Sequence, residues 1–497
     1  MRPLIYLKNG EALRQHNRLR LELLQSRKVR DSAKAVATFR KDPNDFAHKL
    51  FEKSTPSEGP SFSKADAEAF FPKTYRDEHR SHTYTPLEGQ IRPLPPSFLF
   101  AMNPPTWKEI IDSVRKKRNG ATPGLDALTY VLFKKCPAIL SFASNLFTKI
   151  WLTSSVPADW AIAFTILLAK SGLLHLCGEF RPITITCCLG KIFFSIVSDR
   201  LQKFMLDNRY IPREVQKGFL TGVPGCLEHS FALFEALREA KQEQRQIVTC
   251  WIDLANAYGS VRHNLIQFAL EWYHVPKLVR DLILHYYELL MTKIQTKKWT
   301  TGFFLFEIGL FQGCVLSTIL FDCVFQLLLD FLKPDNSKGF KFKMVPVQRL
   351  ASAYADDLNL AAHNVLDCQY TVDKCVTWLK WTVTMKAKPS KCISMAMKRF
   401  DPRTKKEVFC PVYDDKQYSP FDPGLMIDGQ KMAFILDPNL KVKDIDKEWK
   451  IEKDDPDLDA DKSMKREEKK FDKSKFEKSH FKFLGRWIHF FVKEEGE

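Results

Sequence analysis

The chain lacks the sequence features of secreted and membrane-spanning proteins. No apolar stretch reaches the ~18 residues needed to cross a bilayer, and residues 1–10 contain no long apolar core of a secretory signal. The best candidate for a membrane segment, 161–169, is short and is followed by Lys170, so it predicts a buried strand. We therefore expect an intracellular protein without a membrane partner.

Cysteine patterns that bind metals are also missing. The 12 cysteines are scattered, and none forms a Cys-x2-Cys pair or a Cys/His knuckle. The nearest approach to a cluster is His363, Cys368, Cys375 and Cys392, whose spacing matches no zinc site. We therefore expect buried, reduced thiols.

Positive charge, in contrast, is in excess. A formal net charge of +17 and a pI near 9.2 favour a polyanionic partner, either nucleic acid or an acidic membrane surface. Residues 441–480 contain 13 basic and 13 acidic residues, so this stretch has no net charge and predicts a disordered insertion. The excess must lie in the rest of the chain, which favours nucleic acid as the partner of the body.

The pattern along the chain predicts a mixed α/β body behind an irregular N-terminal region. Residues 1–45 alternate basic and apolar residues and predict a charged helix, whereas 54–105 are rich in Pro, Ser and charge and predict an extended connector. Thr106, followed three residues later by Glu109, predicts the start of a helix. From there to about residue 400, apolar strand-like runs alternate with helical patterns.

Two acidic segments contain the candidate chemistry. In the first, a buried strand that includes residues 247–252 ends on Asp253, after which we expect the chain to become helical. In the second, Asp356 and Asp357 interrupt apolar flanks, as a tight hairpin between two strands would place them. By themselves, such acids fit either ordinary turn residues or the ligands of a divalent cation, which stabilises carboxylates in apolar surroundings.

Magnesium is the cofactor that this set of donors favours. Carboxylate oxygens suit Mg²⁺, and nucleotidyl transfer uses two such ions roughly 4 Å apart, one at the primer 3′-hydroxyl and one on the triphosphate. Asp253 and Asp356 would bridge both ions, with Asp357 as an auxiliary ligand. Mn²⁺ is a possible substitute.

A series of further motifs surrounds the two acidic segments. The segments that support an assignment are 120–126, 168–170, 180–183, 216–219, 253–258, 309–321, Tyr354-Ala355-Asp356-Asp357, 388–392 and 481–485. In their order and spacing, they resemble the finger, palm and primer-grip motifs of reverse transcriptases, and most closely those of non-LTR (LINE-like) retrotransposons. The tetrapeptide matches the catalytic tetrapeptide of that family without substitution, and the resemblance covers roughly residues 105–490.

The resemblance implies an α+β, right-hand polymerase fold. The expected organisation is an N-terminal basic helix and connector over 1–104, fingers over 105–250, a palm over 251–436, a charged disordered insertion over 437–480, and a primer-grip segment with the C-terminus over 481–497. Because the chain stops about a dozen residues after the primer-grip motif, we expect the thumb to be missing. No endonuclease segment or zinc knuckle is recognisable in the sequence.

The resemblance also implies a role for each site residue. The expected catalytic residues are Asp253, Asp356, Asp357 and Lys391, of which Lys391 would protonate the leaving pyrophosphate. The expected metal ligands are Asp253, the backbone carbonyl of Leu254, Asp356 and Asp357.

Nucleotide and primer contacts follow in the same way. Lys170 and Arg181 would hold the phosphates of the nucleotide or template, and Tyr258 would stack beneath the sugar and exclude a ribose 2′-hydroxyl. Gln312 and Gly313 would line the nucleotide pocket, where glycine permits a close backbone approach. Phe483, Leu484 and Gly485 would form the primer grip.

The leading interpretation is an RNA-directed DNA polymerase that acts in non-LTR retrotransposition, in the nucleus, with an RNA template, a DNA primer or target and dNTPs as partners. The sequence indicates no protein partner. One alternative is a group II intron-type reverse transcriptase, although no maturase segment is recognisable after the palm. An RNA-templated RNA polymerase fits less well because Tyr258 is bulky and the tetrapeptide is not Gly-Asp-Asp. A further alternative is a catalytically idle, RNA-binding remnant.

Overall fold

The structure is a computed structural model that describes residues 60–170, 176–223, 225–243, 245–343, 347–397, 399–401, 406–408, 424–434, 480–483 and 486–489. The chain divides into two compact units, one of Met1–Phe62 with Thr296–Lys298 and one of Ser63–Gln295 with Trp299–Glu497. All elements below belong to the second unit. The helix predicted in 1–45 lies outside the described residues, as does the charged insertion over 437–480 except for its last residue.

Helices account for much of the described chain. The α-helices are α1 (Lys64–Thr74), α2 (Trp107–Lys116), α3 (Tyr130–Lys135), α4 (Pro137–Thr153), α5 (Ala158–Ala161), α6 (Cys188–Asp207), α7 (Cys226–Gln242), α8 (His263–Trp272), α9 (Lys277–Glu288), α10 (Ser317–Leu332) and α11 (Val365–Trp381). Short 3-10 helices cover Cys177–Glu179, Tyr258–Ser260, Lys333–Lys338 and Pro389–Lys391. Among the helices in the described ranges, none combines the length and apolarity that a membrane crossing requires.

The strands alternate with these helices along the chain, as the sequence pattern predicts. They are β1 (Ile162–Ala169), β2 (Phe180–Ile185), β3 (Ile247–Ile252), β4 (Leu254–Ala255), β5 (Met291–Ile294), β6 (Phe304–Leu305), β7 (Phe340–Lys341), β8 (Gln348–Arg349), β9 (Ala351–Tyr354), β10 (Asp357–Ala362), β11 (Lys386–Ala387), β12 (Ile393–Met397), β13 (Arg399–Asp401), β14 (Lys406–Val408), β15 (Met426–Ile427), β16 (Gln430–Lys431), β17 (Ala433–Phe434), β18 (His480–Phe483) and β19 (Arg486–His489). The body is therefore a mixture of helix and sheet.

A five-stranded sheet with the order β17-β12-β3-β10-β9 forms the centre. Its middle strand, β3, is buried at every residue and pairs antiparallel with β10 and β12. Successive side chains of a strand point to opposite faces: Trp251 packs with Leu233 of α7, whereas the Cys250 thiol lies 3.9 Å from that of Cys368 on α11. Helices cover both faces of the sheet, which explains why every residue of β3 is buried and confirms the predicted buried strand.

A second sheet has the order β2-β1-β5-β6 and joins strands that are far apart in the sequence. The hydroxyl of Thr165 on β1 lies 2.9 Å from those of Thr184 on β2 and Thr292 on β5. The prediction that 161–169 forms a buried strand is correct for the strand but wrong for the burial of its end, because Leu168 is 51% exposed. The pairing with β5 ends at Thr165, so the outer half of β1 has β2 as its neighbour in this sheet.

The predicted extended connector over 54–105 is wrong for one segment, which forms helix α1. Ser63 and Asp66 form a capping box, which satisfies backbone donors at the start of this helix. Ala67 and Phe71 are buried, so the helix is stabilised by an apolar face. The residues from 76 to 105 have no regular helix or strand, as predicted.

The predicted helix start at Thr106 is confirmed. The Thr106 N–H donates to the Glu109 carboxylate at 2.8 Å, and the Glu109 N–H donates back to the Thr106 hydroxyl. Glu109 also accepts two hydrogen bonds from Arg200 on α6, at 2.7 and 2.8 Å. Burial of the Glu109 carboxyl raises its pKa, but the hydrogen bonds from Arg200 and Thr106 outweigh burial and lower the pKa to about 2.

Arg200 is therefore expected to stabilise the attachment of α2 to α6. Its guanidinium is buried and also donates to the carbonyls of Ala101, Asn103 and Pro104. Arg200→Met should lower the free energy of unfolding by about 3 kcal/mol, because it removes charged hydrogen bonds from a buried group. Denaturant unfolding near neutral pH measures this change.

The control for Arg200 is Lys116, which forms an exposed 3.3 Å ion pair with Asp199 on the same two helices. Lys116→Met should cost less than about 1 kcal/mol. A group whose pKa is lowered by folding stabilises the fold above its unfolded pKa. The effect of Arg200→Met should therefore shrink as the pH falls from 4.5 towards about 2. Equal losses in both variants at neutral pH would contradict this account.

The thiols are buried, as predicted. All cysteines whose side chains the structure describes are free, and all of them except Cys136 are buried. Cys368 and Cys375 lie on α11, and Cys392 precedes β12.

Candidate active site

The predicted hairpin around the paired acids is confirmed. Strands β9 and β10 are antiparallel, and Tyr354 lies opposite Asp357, so Ala355 and Asp356 form a two-residue turn. Ala355 has a φ of 55°, in the left-handed region that residues with a side chain rarely adopt. The turn places Asp356 at the tip of the hairpin and Asp357 at the start of β10.

Asp253 lies at the same end of the sheet. It follows β3 directly, and Ile252 of β3 pairs with Leu358 of β10 in antiparallel register. Extending that register by one residue brings Asp253 opposite Asp357. The two acidic segments, about a hundred residues apart in the sequence, therefore meet at neighbouring strand ends.

The helix expected after Asp253 is present, but a short strand comes before it. Residues 254–255 form β4, which pairs with β11, and the 3-10 turn Tyr258–Ser260 follows. The α-helix begins only at His263, because Asn256 has a φ of 48° and redirects the chain first. Leu254, a predicted ligand through its carbonyl, lies in β4 opposite Ala387.

The protonation equilibria of the acids reflect their proximity. Partial burial, followed by the negative charges of Asp356 and Asp253, raises the pKa of Asp357 to about 6. Burial also raises the pKa of Asp356, with a further contribution from Asp253, while its own backbone N–H and Arg181 oppose the rise. The three carboxylates therefore repel one another in a partly desolvated place, where a bound cation would stabilise their charged forms.

The carboxylates fit magnesium better than a tightly chelated metal. Within the residues that the structure describes, no three Asp, Glu, His or Cys side chains converge closely enough to hold an ion by themselves. Mg²⁺ keeps several waters and is usually bound through one or two carboxylates together with the phosphates of a substrate. The arrangement therefore suits a cation that arrives with, or is completed by, a phosphate-containing ligand.

A cluster of basic side chains lies near the acids. Arg181 on β2 pairs with Leu168 of β1, and Lys170 follows β1 with its ammonium donating to the Gly178 carbonyl at 2.8 Å. The pKa of Lys170 is lowered, first by burial and then by the positive charges of Lys388, Lys391 and Arg181. The structure thus brings together the three predicted cations.

Lys388 is a member of this cluster that the sequence analysis did not assign. Its N–H donates to the carbonyl of Asp253 at 2.8 Å, which ties the segment of Lys388 and Lys391 to the first acid. The lysine stands in a motif that the sequence analysis singled out, but its contact with Asp253 depends on the pairing of β4 with β11.

Tyr258 lies near Asp356. Its ring stacks on Phe321 of α10 with centroids 4.7 Å apart and planes 5° from parallel. Its hydroxyl has no hydrogen-bond partner among the described residues. Burial raises the pKa of Tyr258, and the negative charges of Asp322 and Asp356 raise it further. The ring is therefore held by stacking, close to the predicted catalytic acid.

Gln312 and Gly313 lie in a loop between Tyr258 and β2. The Thr184 N–H donates to the Gln312 carbonyl at 2.7 Å, and the Leu310 N–H donates to the Tyr258 carbonyl at 2.8 Å. Gly313 has a φ of 115°, and a Cβ there would lie 2.5 Å from the Thr184 carbonyl oxygen. Glycine is therefore required for the close approach of this loop to the second sheet.

The predicted primer grip is described only in part. Phe483 ends β18 and pairs with Arg486 of β19 in an antiparallel hairpin. Leu484 and Gly485 lie outside the described residues.

Comparison with known proteins covers the same part of the chain. The family model described as "Reverse transcriptase (RNA-dependent DNA polymerase)" matches residues 168–488. The retrovirus-related Pol polyprotein from the type-2 retrotransposable element R2DM of Drosophila melanogaster is 28% identical over 279 residues, which are 56% of this chain and 25% of that protein. The Pol polyprotein from the type-1 retrotransposable element R2 of Nasonia vitripennis is 25% identical over 317 residues, 64% of this chain and 29% of that protein.

A third relative is similar over a shorter range. The R2 Pol polyprotein of Bradysia coprophila is 30% identical over 220 residues, which are 44% of this chain and 24% of that protein. The matched part of the chain thus spans 24% to 29% of the length of these relatives.

Proposed function

Because this chain belongs to the reverse transcriptase (RNA-dependent DNA polymerase) family, we propose that it adds dNTPs to the 3′ end of a DNA primer on an RNA template. The observation that supports this proposal is the meeting of Asp253 with Asp356 and Asp357 at neighbouring strand ends. The similar R2 polyproteins extend the proposal to the reverse transcriptase domain of a non-LTR retrotransposon. The predicted nuclear location is part of the same proposal, because such an element copies itself into chromosomes.

The acids would hold two divalent cations. Asp253 and Asp356 would bind both ions, with Asp357 and the carbonyl of Leu254 as further oxygen donors. Mg²⁺ matches these hard donors, and Mn²⁺ is a possible substitute. When bound, the ions would activate the primer 3′-hydroxyl and neutralise the triphosphate. The raised pKa values of Asp356 and Asp357 fit a site that is stabilised by positive charge.

The basic side chains near the acids would hold the nucleotide. Lys170 and Arg181 would donate charge-assisted hydrogen bonds to phosphate oxygens of the nucleotide or template. Lys388 belongs to the same cluster and adds to its positive potential. Lys391 would donate a proton to the leaving pyrophosphate, and its place in the same cluster of basic side chains supports this role.

Sugar and base contacts would come from Tyr258 and from the loop of Gln312 and Gly313. Tyr258 would stack beneath the deoxyribose and exclude a 2′-hydroxyl, while Gln312 and Gly313 would line the nucleotide pocket. The hairpin that contains Phe483 would hold the primer end together with Leu484 and Gly485.

This assignment gives each sheet a role. The five-stranded sheet with α7 and α11 would be the palm, and the sheet of β1 and β2 would belong to the fingers. Strands β5 and β6 join that second sheet although they follow the first acid in sequence. The fingers would therefore include residues on both sides of the predicted boundary at 250.

Primer extension tests the proposed function. The chain is incubated with a DNA primer annealed to an RNA template, dNTPs and Mg²⁺, and the product is resolved by length. The wild-type chain is expected to extend the primer, and the double variant Asp356→Asn/Asp357→Asn is expected not to, because it lacks two anionic ligands. A chelator should abolish extension in the same way.

The same experiment distinguishes the polymerase from an idle RNA-binding remnant. Salt-dependent RNA binding is expected of both, because phosphate contacts dominate it. If the wild-type chain and the double variant bind RNA equally and neither extends the primer, the polymerase proposal is wrong and the remnant is favoured.

A further inference from the structure

A short segment before α7 lies along the outer edge of the acid-bearing hairpin. The Ala353 N–H donates to the Val215 carbonyl at 2.8 Å, and the Lys217 N–H donates to the Ala353 carbonyl at 3.0 Å. Gln216 and Ala353 therefore form a parallel bridge beside β9. His229 of α7 contacts both sides of this bridge, because its Nε2 lies 3.0 Å from the Val215 carbonyl and 3.1 Å from the Ala353 carbonyl.

The side chain of Gln216 holds the turn itself. Its Oε1 accepts from the Ala355 N–H at 2.9 Å, and its Nε2 donates to the Ala355 carbonyl at 3.2 Å. Oε1 also accepts from the Gly218 N–H at 2.8 Å. Gln216 is fully buried and Ala355 is 2% exposed, so water cannot replace these bonds without a rearrangement.

Ala355 needs such support. Its φ of 55° is unfavourable for a residue with a Cβ, and a strained residue keeps its conformation only where the surroundings over-determine it. Gly218 contributes to this, because a Cβ at that position would overlap the Ala355 nitrogen. The peptide groups of Ala355 would also be left unsatisfied in a buried place if Gln216 were removed.

The next residue after this turn is Asp356. Its carboxylate is placed by the backbone direction at Ala355, and misplacement of a reacting group by about 1 Å can cost two orders of magnitude in rate. We propose that Gln216 is a positioning residue, which fixes the strained turn at Ala355 and so aims the carboxylate of Asp356 at the metal site. The kinetic part of this inference rests on the proposed polymerase function, whereas the structural part does not.

The chain offers a matched control in Gln369 of α11. Its Nε2 donates to the Met426 carbonyl at 2.9 Å, and the Met426 N–H donates to its Oε1 at 2.8 Å. Gln369 is 4% exposed, so it is a second buried glutamine that holds both peptide groups of one residue. Gln216→Met and Gln369→Met therefore remove equivalent interactions at different places.

Two measurements are made on the full chain and on both variants. The first is hydrogen exchange by mass spectrometry, in which Gln216→Met should speed exchange in the peptide that covers 351–358, and Gln369→Met should not. The second is the rate of single-nucleotide incorporation at saturating dNTP and Mg²⁺. Gln216→Met should lower that rate about tenfold to a hundredfold with primer-template affinity unchanged, and Gln369→Met should leave it near the wild-type value.

A third variant keeps the inference testable if Gln216→Met does not fold. Gln216→Glu retains an acceptor for the Ala355 N–H, so it should preserve the slow exchange of that amide. Fast exchange in Gln216→Glu would contradict the hydrogen-bond account.

The remaining outcomes are also decisive. Unchanged hairpin exchange in Gln216→Met would overturn the inference, as would equal rates in the two methionine variants. If the wild-type chain incorporates no nucleotide, the proposed polymerase function fails, while hydrogen exchange still decides whether Gln216 fixes the turn.

Discussion

Asp253→Asn is expected to lower the rate of nucleotide addition by roughly a thousandfold or more. Asparagine has the same size but lacks the anionic oxygen that Mg²⁺ prefers, and a catalytic metal ion contributes several kcal/mol to transition-state stabilisation. Asp253 follows β3 directly and lies opposite Asp357 when the register of β3 and β10 is extended by one residue. Single-turnover incorporation of one dNTP at saturating Mg²⁺ measures the loss.

Asp322 provides the control for this substitution. It is fully buried on α10, and both of its carboxyl oxygens lack a hydrogen-bond partner within the described residues. Burial raises the pKa of Asp322 well above its usual range, and the negative charge of Asp356 contributes further. Asp322→Asn preserves the size of the side chain, and burial already disfavours the charged form of this acid, so the variant should retain most of the activity. A loss equal to that of Asp253→Asn would indicate that charge balance, and not metal binding, explains both effects.

Tyr258→Ala is expected to admit ribonucleotides. The ring is held flat against Phe321, and its removal opens the space where we propose that the sugar lies. The preference for a dNTP over the matching rNTP, measured as the ratio of kcat/KM values, should fall by about two orders of magnitude. Incorporation of each nucleotide on the same primer and template provides both values.

Tyr258→Phe is the control for the gate. The Tyr258 hydroxyl has no partner among the described residues, so phenylalanine should keep both the ring position and the discrimination. Unchanged sugar selectivity in Tyr258→Ala would remove this residue from the gate. A loss of selectivity in Tyr258→Phe would show that the hydroxyl, and not the bulk of the ring, is responsible.

Several local features of the fold could be predicted from the sequence. The capping box at Thr106 and the tight turn at Ala355 and Asp356 depend on residues within a few positions of one another. The buried strand that precedes Asp253 is apolar at five of its six residues, with Thr249 as the exception, and its two covered faces favour such a composition. Helix α1 was missed because the prolines and charges around it favour an extended chain, whereas the capping box at Ser63 and the burial of Phe71 outweigh them.

The classes of ligand that the site would bind could be predicted from the sequence, because they depend on residue type. Carboxylates suit a hard divalent cation, and lysine and arginine suit phosphates, wherever the fold places them. The motifs that surround Asp253 and Asp356 also predicted the family, which the match over residues 168–488 confirms.

The sequence by itself therefore determined which acidic and basic side chains are available to the site. It also determined the buried strand that leads to Asp253 and the hairpin that presents Asp356. Only the tertiary structure decided that Ile252 pairs with Leu358, which brings the acids together, and that Gln216 holds a turn 139 residues away. The physical reason is that strand order and register depend on the packing of α7 and α11 against opposite faces of one sheet. Such packing joins residues that no local pattern connects.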